Sequence, residues 1–223
     1  GSLFAIYKII KNLNPDVVMS YTSKPVIFSG ICLKFFPKIK FFPLITGLGS
    51  TFTEVNLIRN FFIKYLVIYL YRLSLKSSVN IIFQNKDDQI LFLELNIINQ
   101  KQPSSIVNGS GVNLNSYPLF ELPSKPVFLM IARLLISKGI REYVEAAKIV
   151  KASYPNVRIQ LMGKLENNSL YINRNELVSW IDQGVIEYLG EVDTVQSTLQ
   201  SCRFFILPSY YREGVPRSIL EAL

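Results

Sequence analysis

The chain has 223 residues, of which 49% are apolar and 13% aromatic, with a formal net charge of +8 and no histidine. This apolar content excludes a disordered chain, and the length is enough to bury a substantial core in more than one domain. The lack of histidine excludes a Ser-His triad, a histidine-ligated metal and histidine acid–base catalysis.

Strands and helices are predicted to alternate along the first half of the chain. Leu3, Ile6, Tyr7 and Ile10 follow a helical period, and short apolar runs bounded by turn residues predict strands. The predicted strands are 16–21, 40–45, 79–83 and 105–107, and the predicted helices run from 25 to about 36, from 57 to 77 and from 87 to 95. Periodicity is lost over 108–126, where glycine, asparagine and proline indicate an interdomain connection.

The second half repeats this alternation. Strands are predicted at 127–131, 158–162, 185–189 and 204–207, and helices at about 140–150, 172–181, 194–201 and from near Glu213. The β-α order predicts an α/β protein built on doubly wound parallel sheets. We expect a first domain at 1–112, a linker at 113–126 and a second domain at 127–223. The chain opens on a helix and stops within one, which also predicts a fragment with two incomplete domains.

Positive charge is concentrated in the first half. Residues 1–112 carry 12 Lys/Arg and 5 Asp/Glu, a net +7, whereas residues 113–223 carry 12 and 11, a net +1. The first half is therefore expected to meet an anionic partner. Its predicted helix 58–77 mixes cations with aromatic and aliphatic residues, and it carries too many charges to span a bilayer. That helix lies either at a membrane surface or in the core with its cations reaching solvent.

Two glutamates eight positions apart follow the last predicted strand. On a helix, Glu213 and Glu221 would differ by about 80° around the axis after whole turns. The residues between them, Gly214, Val215 and Pro216, indicate a loop that leads into a helix whose free N–H groups favour an anion. The pair predicts a ligand with both hydroxyls and phosphates, although two acids at this spacing, taken alone, are more often solvated surface.

A second motif lies between strand 127–131 and the helix that follows it. Arg133 and Lys138 place two cations at a strand's carboxyl end, close to a helix N-terminus that adds partial positive charge. A diphosphate fits such a loop. Without that placement, an Arg/Lys pair would more often be a solubilising surface feature.

Residues 208–223 resemble the donor-binding signature of glycosyltransferase family 4, whose members have the GT-B fold of two Rossmann-like domains facing a cleft. The Arg-x4-Lys spacing matches the same family. The resemblance implies that Arg133 and Lys138 hold the diphosphate of a nucleotide sugar and act in catalysis with Glu213, which contacts the donor sugar. It implies that Glu221 binds the ribose hydroxyls. Backbone near the sugar and phosphates is implied to come from Gly214, Val215 and Pro216.

Other positions in the second half match the family more loosely. Gly163 ends a strand where the family approaches the nucleotide, and Glu191 and Val192 align with the segment whose backbone contacts the base. Ordinary turn chemistry accounts for each of them equally well. They are expected to be donor-binding residues.

In the first half, Thr46, Gly47 and Gly49 form a glycine-containing loop whose backbone is suited to approach a ligand closely. The loop resembles the acceptor-side loop of relatives that extend glycans on a polyprenyl diphosphate. Many relatives carry a histidine in this region, and its absence here indicates a histidine-poor subgroup.

The resemblance implies a retaining glycosyltransferase of the hexosyltransferase class in bacterial surface polysaccharide synthesis. Its donor would be a nucleotide-diphosphate sugar, with UDP favoured, and its acceptor a polyprenyl-diphosphate-linked glycan. No Asp-x-Asp and no carboxylate cluster with metal spacing occurs in the sequence, so neither a metal nor another cofactor is expected. Cys32 and Cys202 are isolated and are expected to be reduced core thiols of a cytoplasmic protein. The expected location is peripheral, on the inner face of the cytoplasmic membrane.

Competing functions make different demands on the sequence. A nucleic-acid-binding module needs a dense basic stripe or a known motif, and neither is present. A nicotinamide-dependent enzyme needs Gly-x-Gly-x-x-Gly, and the loop at Gly47 lacks the third glycine. A non-catalytic fragment that binds sugar nucleotides, or another GT-B enzyme, is the remaining alternative.

Overall fold

The structure is a computed structural model that describes residues 1–47, 59–192, 194–210 and 213–223. It divides into two compact units. The first contains residues 1–110 together with 212–216, and the second contains residues 111–211 together with 217–223. The short segment that holds Glu213 is thus grouped with the first unit, although it is far from that unit in sequence.

The first unit is a parallel sheet with helices. Its described elements are α1 (Ser2–Leu13), β1 (Val17–Tyr21), α2 (Ser23–Leu33), β2 (Lys40–Ile45), α3 (Arg59–Leu75), β3 (Ile81–Phe83), α4 (Lys86–Glu94) and β4 (Ser104–Ile106). The described strands form one sheet in the order β1-β2-β3-β4, with every neighbouring pair parallel. Because parallel strands end at the same edge, the loops after β2 and β3 are neighbours.

The core of the first unit contains a group of packed aromatic rings. The Phe92 ring packs edge-on against Tyr71 at 5.2 Å and against Phe83 at 5.3 Å between centroids, and all three side chains are buried. Helices α2 and α3 approach closely at Gly30, where a Cβ would overlap the main-chain oxygen of Ser74. Only glycine fits this crossing without displacing α3.

The second unit repeats the theme. After a 3₁₀ turn at Leu114–Ser116, its described elements are β5 (Val127–Ile131), a 3₁₀ turn at Ile136–Lys138, α5 (Ile140–Ser153), β6 (Arg158–Met162), α6 (Arg174–Asp182), β7 (Glu187–Tyr188), α7 (Gln196–Ser201), β8 (Phe204–Phe205) and α8 (Arg217–Ala222). The strands pair in parallel in the order β7-β6-β5-β8.

Both faces of this second sheet are covered. Met130 points into the cluster formed with α5 and α6, whereas its neighbour Leu129 points into a separate cluster with Leu199 of α7 and Cys202. Successive side chains of a strand point to opposite faces, so β5 contributes to two cores. The expected α/β fold with doubly wound parallel sheets is confirmed.

Each of the eight predicted strands is present in the described ranges, but some bounds differ from the prediction. The strands β7 and β8 have two residues each, fewer than the five and four predicted at 185–189 and 204–207. The last helix begins at Arg217 and not near Glu213. Pro216 explains this, since proline disfavours helical geometry in the residue before it. Both cysteines are free and buried, as expected.

Candidate functional site

The loops after β5, β6 and β7 lie side by side at the carboxyl edge of the second unit's sheet. Gly163, just after β6, donates its N–H to the main-chain oxygen of Gly190 at 2.8 Å. Ala132, just after β5, donates to the main-chain oxygen of Met162 at 3.0 Å. The hydroxyl of Tyr188 donates to the main-chain oxygen of Gly163 at 2.7 Å. The loop after β6, which contains Gly163, therefore lies between the loops after β5 and β7.

Gly163 allows this close arrangement because it has no side chain. Its φ is +146°, a conformation that other residues rarely adopt, and a Cβ there would overlap the main-chain oxygen of Ala132. The glycine thus has a structural role in bringing the β5 and β6 loops together. That role is independent of any ligand.

The two predicted cations lie on one loop but in different environments. Arg133 is exposed, whereas Lys138, the last residue of its 3₁₀ turn, is only 7% exposed. A buried charged side chain needs partners within the fold. Lys138 therefore has a structural role in addition to the ligand-binding role expected from the sequence. Arg133 has a side chain available to solvent and to a ligand.

The segment after β8 braces this loop. The N–H of Tyr210 donates to the main-chain oxygen of Ser137 at 3.0 Å. Gly139 has a left-handed φ of +79°, and a Cβ there would overlap the main-chain oxygen of Pro208. This segment therefore contacts the turn that carries Lys138 at two points, and α5 starts directly after the turn.

Glu191 and Val192 follow Gly190, which has a φ of +76°. Both side chains are exposed. Gly190 is hydrogen-bonded to Gly163, whose neighbour Met162 is hydrogen-bonded to Ala132. Glu191 and Val192 therefore lie at the same carboxyl edge of the sheet as Ala132 and Arg133. The second unit thus brings together four of the predicted residues, Arg133, Gly163, Glu191 and Val192.

Glu221 lies in a different environment of the same unit. Its Oε1 accepts a hydrogen bond from Nε of Arg217 at 2.7 Å, and its side chain is 12% exposed, against 70% for the arginine. Burial, together with a hydrogen bond to Glu221, raises the pKa of the Tyr117 hydroxyl. Tyr117 and Glu221 line a cavity of about 150 Å³. The residues that line this cavity include none of 132–139 or 190–192.

The other predicted residues come together in the first unit. The N–H of Gly214 donates to the main-chain oxygen of Thr46 at 3.1 Å. Gly47, with a φ of +114°, has no Cβ, and one built there would lie 2.6 Å from the Cα of Glu213. Val215 and Pro216 continue the same half-buried segment. The predicted acceptor-side loop and the Glu213 segment therefore pack together, while Gly49 lies outside the described residues.

Two residues of this site were missed by the sequence analysis. Gln84 and Asn85 lie between β3 and α4, with Asn85 as the N-cap of α4, and both contact the segment that holds Glu213. A Cβ on Gly214 would overlap the side-chain oxygen of Gln84, and Asn85 Nδ2 donates to the main-chain oxygen of Glu213 at 3.2 Å. The available signal was a pair of amide residues at the carboxyl end of a strand, directly before a helix that starts with two acids.

Both halves of the chain match known protein families. Residues 2–85 match the family described as glycosyl transferase 4-like, and residues 125–223 match the family described as glycosyl transferases group 1. The chain belongs to these glycosyltransferases. The family resemblance seen in the sequence is thereby confirmed.

The chain is also similar to a protein from Campylobacter jejuni. That relative is described as N,N'-diacetylbacillosaminyl-diphospho-undecaprenol α-1,3-N-acetylgalactosaminyltransferase. The two are 30% identical over 236 aligned residues, which cover 99% of this chain and 60% of the relative. The chain therefore spans less than two thirds of that relative's length.

Solved structures show the same fold. The Anabaena protein HepE, solved with UDP and glucose, is 18% identical with a TM-score of 0.74, covering 100% of this chain and 62% of its own. A glycosyltransferase from Rickettsia africae is 19% identical with a TM-score of 0.70, covering 99% and 58%. The expected GT-B class is confirmed by this likeness, which at such identities concerns the fold alone.

A membrane-spanning helix and a cluster of metal-binding side chains are both absent from the described ranges. No helix there has the length and apolar character needed to cross a membrane. Nor do those residues include a group of three or more cysteine, aspartate or glutamate side chains able to hold a metal ion.

Proposed function

We propose that this glycosyltransferase family member transfers a sugar from a nucleotide-diphosphate sugar to a glycan on a polyprenyl diphosphate. The observation that carries the proposal is the loop after β5, which presents Arg133 at the carboxyl edge of a parallel sheet beside Gly163 and Gly190. In open α/β sheets, ligands bind outside this edge. The Campylobacter relative, whose name specifies a diphospho-undecaprenol acceptor, supports the acceptor class.

The chemistry requires opposite charges at the two ends of the breaking bond. As the bond from sugar C1 to the diphosphate oxygen breaks, positive charge develops on the sugar ring and negative charge on the leaving diphosphate. Arg133 and Lys138 stabilise the diphosphate. Glu213 binds the sugar hydroxyls, and Glu221 binds the ribose hydroxyls with its carboxylate oriented by Arg217.

The reaction retains the configuration at C1 and needs no metal ion in this proposal. The acceptor hydroxyl forms its new bond to C1 on the face from which the diphosphate departs, and its proton passes to a leaving phosphate oxygen. This scheme uses no protein base, in keeping with the absence of histidine from the chain. The two cations take the role that a divalent metal has in other transferases.

Nucleotide binding tests the donor assignment. In calorimetry with UDP, GDP, NAD and a short DNA duplex, we expect one of the two nucleoside diphosphates to bind and NAD and DNA not to bind. UDP is the favoured nucleotide, and HepE, which shares the fold, was solved with it. Binding of NAD or DNA in place of both nucleoside diphosphates would contradict the proposal.

Turnover is measured with the full-length protein, because the chain spans 60% of its Campylobacter relative. Nucleotide sugars are screened for release of nucleoside diphosphate in the presence of a polyprenyl-linked acceptor. Release that depends on the acceptor supports transfer. Nucleotide binding without release for any donor would favour the alternative of a non-catalytic binding protein.

The same proposal places the protein on the inner face of the cytoplasmic membrane, through α3. One face of this helix is buried through Ile68, Tyr71 and Leu75, while Leu66 and Tyr69 are exposed. Exposed apolar residues next to exposed cations are typical of helices that lie at a lipid surface. Exposed cations among the described side chains of this region include Lys64 and Arg72 of α3 and the nearby Lys76. Of these, Arg72 also caps α4 through the main-chain oxygens of Leu95 and Asn96.

Vesicle binding tests the membrane assignment. Replacing Leu66, which is 56% exposed, with glutamate is expected to weaken binding to vesicles containing an anionic lipid by roughly tenfold, because an apolar side chain no longer enters the interface. The measurement is co-sedimentation. The matched control is Ile149→Glu on α5, whose side chain is 73% exposed in the second unit. Equal effects of the two substitutions would contradict a role for α3.

A further inference from the structure

One peptide group in the first unit is held at both of its polar atoms. The main-chain oxygen of Glu213 accepts a hydrogen bond from Asn85 Nδ2 at 3.2 Å. The N–H of Gly214, which belongs to the same peptide group, donates to the main-chain oxygen of Thr46 at 3.1 Å. Rotation of this peptide plane would break both bonds. The plane fixes ψ of Glu213 and thereby limits the directions that its side chain can take.

The Asn85 amide is itself locked in place. Its Nδ2 also donates to Oδ2 of Asp88 at 3.0 Å, and its Oδ1 accepts the N–H of Asp88 at 2.7 Å. This network decides the orientation of the amide, because a flipped Asn85 would turn its oxygen toward a carboxylate and a carbonyl, both of which only accept. The amide can donate to Glu213 in one orientation only.

Asp88 provides a rigid base for this arrangement. Asp88 is 3% exposed and lies in the first turn of α4, where the helix dipole favours negative charge. Its charge also helps to raise the pKa of Tyr71, after burial as the main cause. A buried carboxylate that is hydrogen-bonded to Asn85 has little freedom to move. A hydrogen bond to a charged acceptor is also stronger than one between neutral groups.

Space around Glu213 and Gly214 is also restricted. Gly47 and Gly214 both sit where a Cβ would meet a neighbour, the first at Glu213 and the second at the side chain of Gln84. Two glycines, two hydrogen bonds and one amide side chain therefore define a single path for the main chain. The first unit positions an acid that the family motif assigns to the donor sugar.

We propose that Asn85 is a positioning residue that sets the direction of the Glu213 side chain. The inference rests on the proposed function, in which Glu213 binds the donor sugar. Asn85 does not touch the nucleotide in this scheme, so its removal lowers the rate of transfer and leaves nucleotide affinity unchanged. Small errors in the placement of a reacting group can lower rates by about 100-fold.

The test is Asn85→Ser in the full-length protein. Serine retains an N-cap acceptor for α4 but cannot reach the main-chain oxygen of Glu213 with a donor. We expect kcat to fall by about 10- to 100-fold, with the Kd for nucleoside diphosphate within twofold of the unmodified protein. The matched control is Asn173→Ser, which changes the N-cap of α6 in the second unit and is expected to leave kcat unchanged.

A second variant separates positioning from a general loss of structure. If Asn85 acts through Glu213, combining Asn85→Ser with Glu213→Gln should lower kcat no further than Glu213→Gln alone. Additive losses, or a kcat for Asn85→Ser within twofold of the unmodified protein, would overturn the inference. These results would leave the proposed function intact, provided that Glu213→Gln is impaired.

Hydrogen exchange tests the arrangement without any need for activity. The amide of Gly214 is expected to exchange at least tenfold faster in Asn85→Ser, because the peptide plane has lost one of its two bonds. The amides of α6 serve as internal reference. An unchanged rate at Gly214 would overturn the inference even if no donor sugar were ever turned over, whereas failure of transfer in the unmodified protein would count against the proposed function.

Discussion

Replacing Arg133 with alanine is expected to lower kcat/KM for sugar transfer by about 100- to 1,000-fold. In the proposed mechanism, its guanidinium stabilises the charge that develops on the leaving diphosphate, and no other group of the loop is both cationic and exposed. Loss of a charge-assisted contact should also weaken nucleoside diphosphate binding, by roughly 10- to 100-fold. The measurements are initial rates for the full-length protein and calorimetry.

Arg203→Ala is the matched control for this experiment. Arg203 is an exposed arginine of the same unit, but it precedes β8 and therefore lies at the opposite edge of the sheet from Arg133. Its guanidinium donates to the main-chain oxygen of Pro123. We expect it to leave both rate and affinity within about twofold, and equal losses in the two variants would mean that general positive charge, and not the β5 loop, binds the donor. Arg133 suits the test better than buried Lys138, whose removal would also disturb packing.

Gly163→Ala is expected to lower the free energy of unfolding of the second unit by about 3–5 kcal/mol. Two costs combine at this position: a side chain at φ +146° is strained, and its Cβ would overlap the main-chain oxygen of Ala132. Either the β5 or the β6 loop must move, so donor binding should fall as well. Urea denaturation followed by the fluorescence of Trp180, which lies in the core of this unit, measures the loss.

The control for this prediction is Gly184→Ala. Gly184 also has a positive φ, +67°, but a Cβ there meets no heavy atom within 4 Å. Its substitution carries the conformational cost alone, about 1–2 kcal/mol. Similar losses in the two variants would show that close approach of the β5 and β6 loops does not depend on Gly163.

Several features of the site could be predicted because they are local in the chain. Arg133 and Lys138 follow a strand within a few residues, so the apolar run at 127–131 was enough to place their loop at a strand's carboxyl end. The same reasoning applied to Gly47, Gly163 and Gly214. At each of these positions a Cβ would overlap a neighbouring part of the chain.

Other features depend on contacts between distant parts of the sequence. The bond from Asn85 to Glu213 joins residues 128 positions apart, and nothing in either local sequence specifies the partner. The strand order β7-β6-β5-β8 likewise depends on pairing between segments that are distant in the chain, which apolar content alone does not determine.

The sequence by itself determined the order of strands and helices, the family and the chemical character of each motif, because periodicity, turn residues and motif spacing are properties of short segments. The tertiary structure alone decided that the Glu213 segment belongs to the first unit and that Asn85 and Thr46 hold its peptide group. A hydrogen bond needs its two atoms within about 3.5 Å, and only the folded chain brings such distant residues that close.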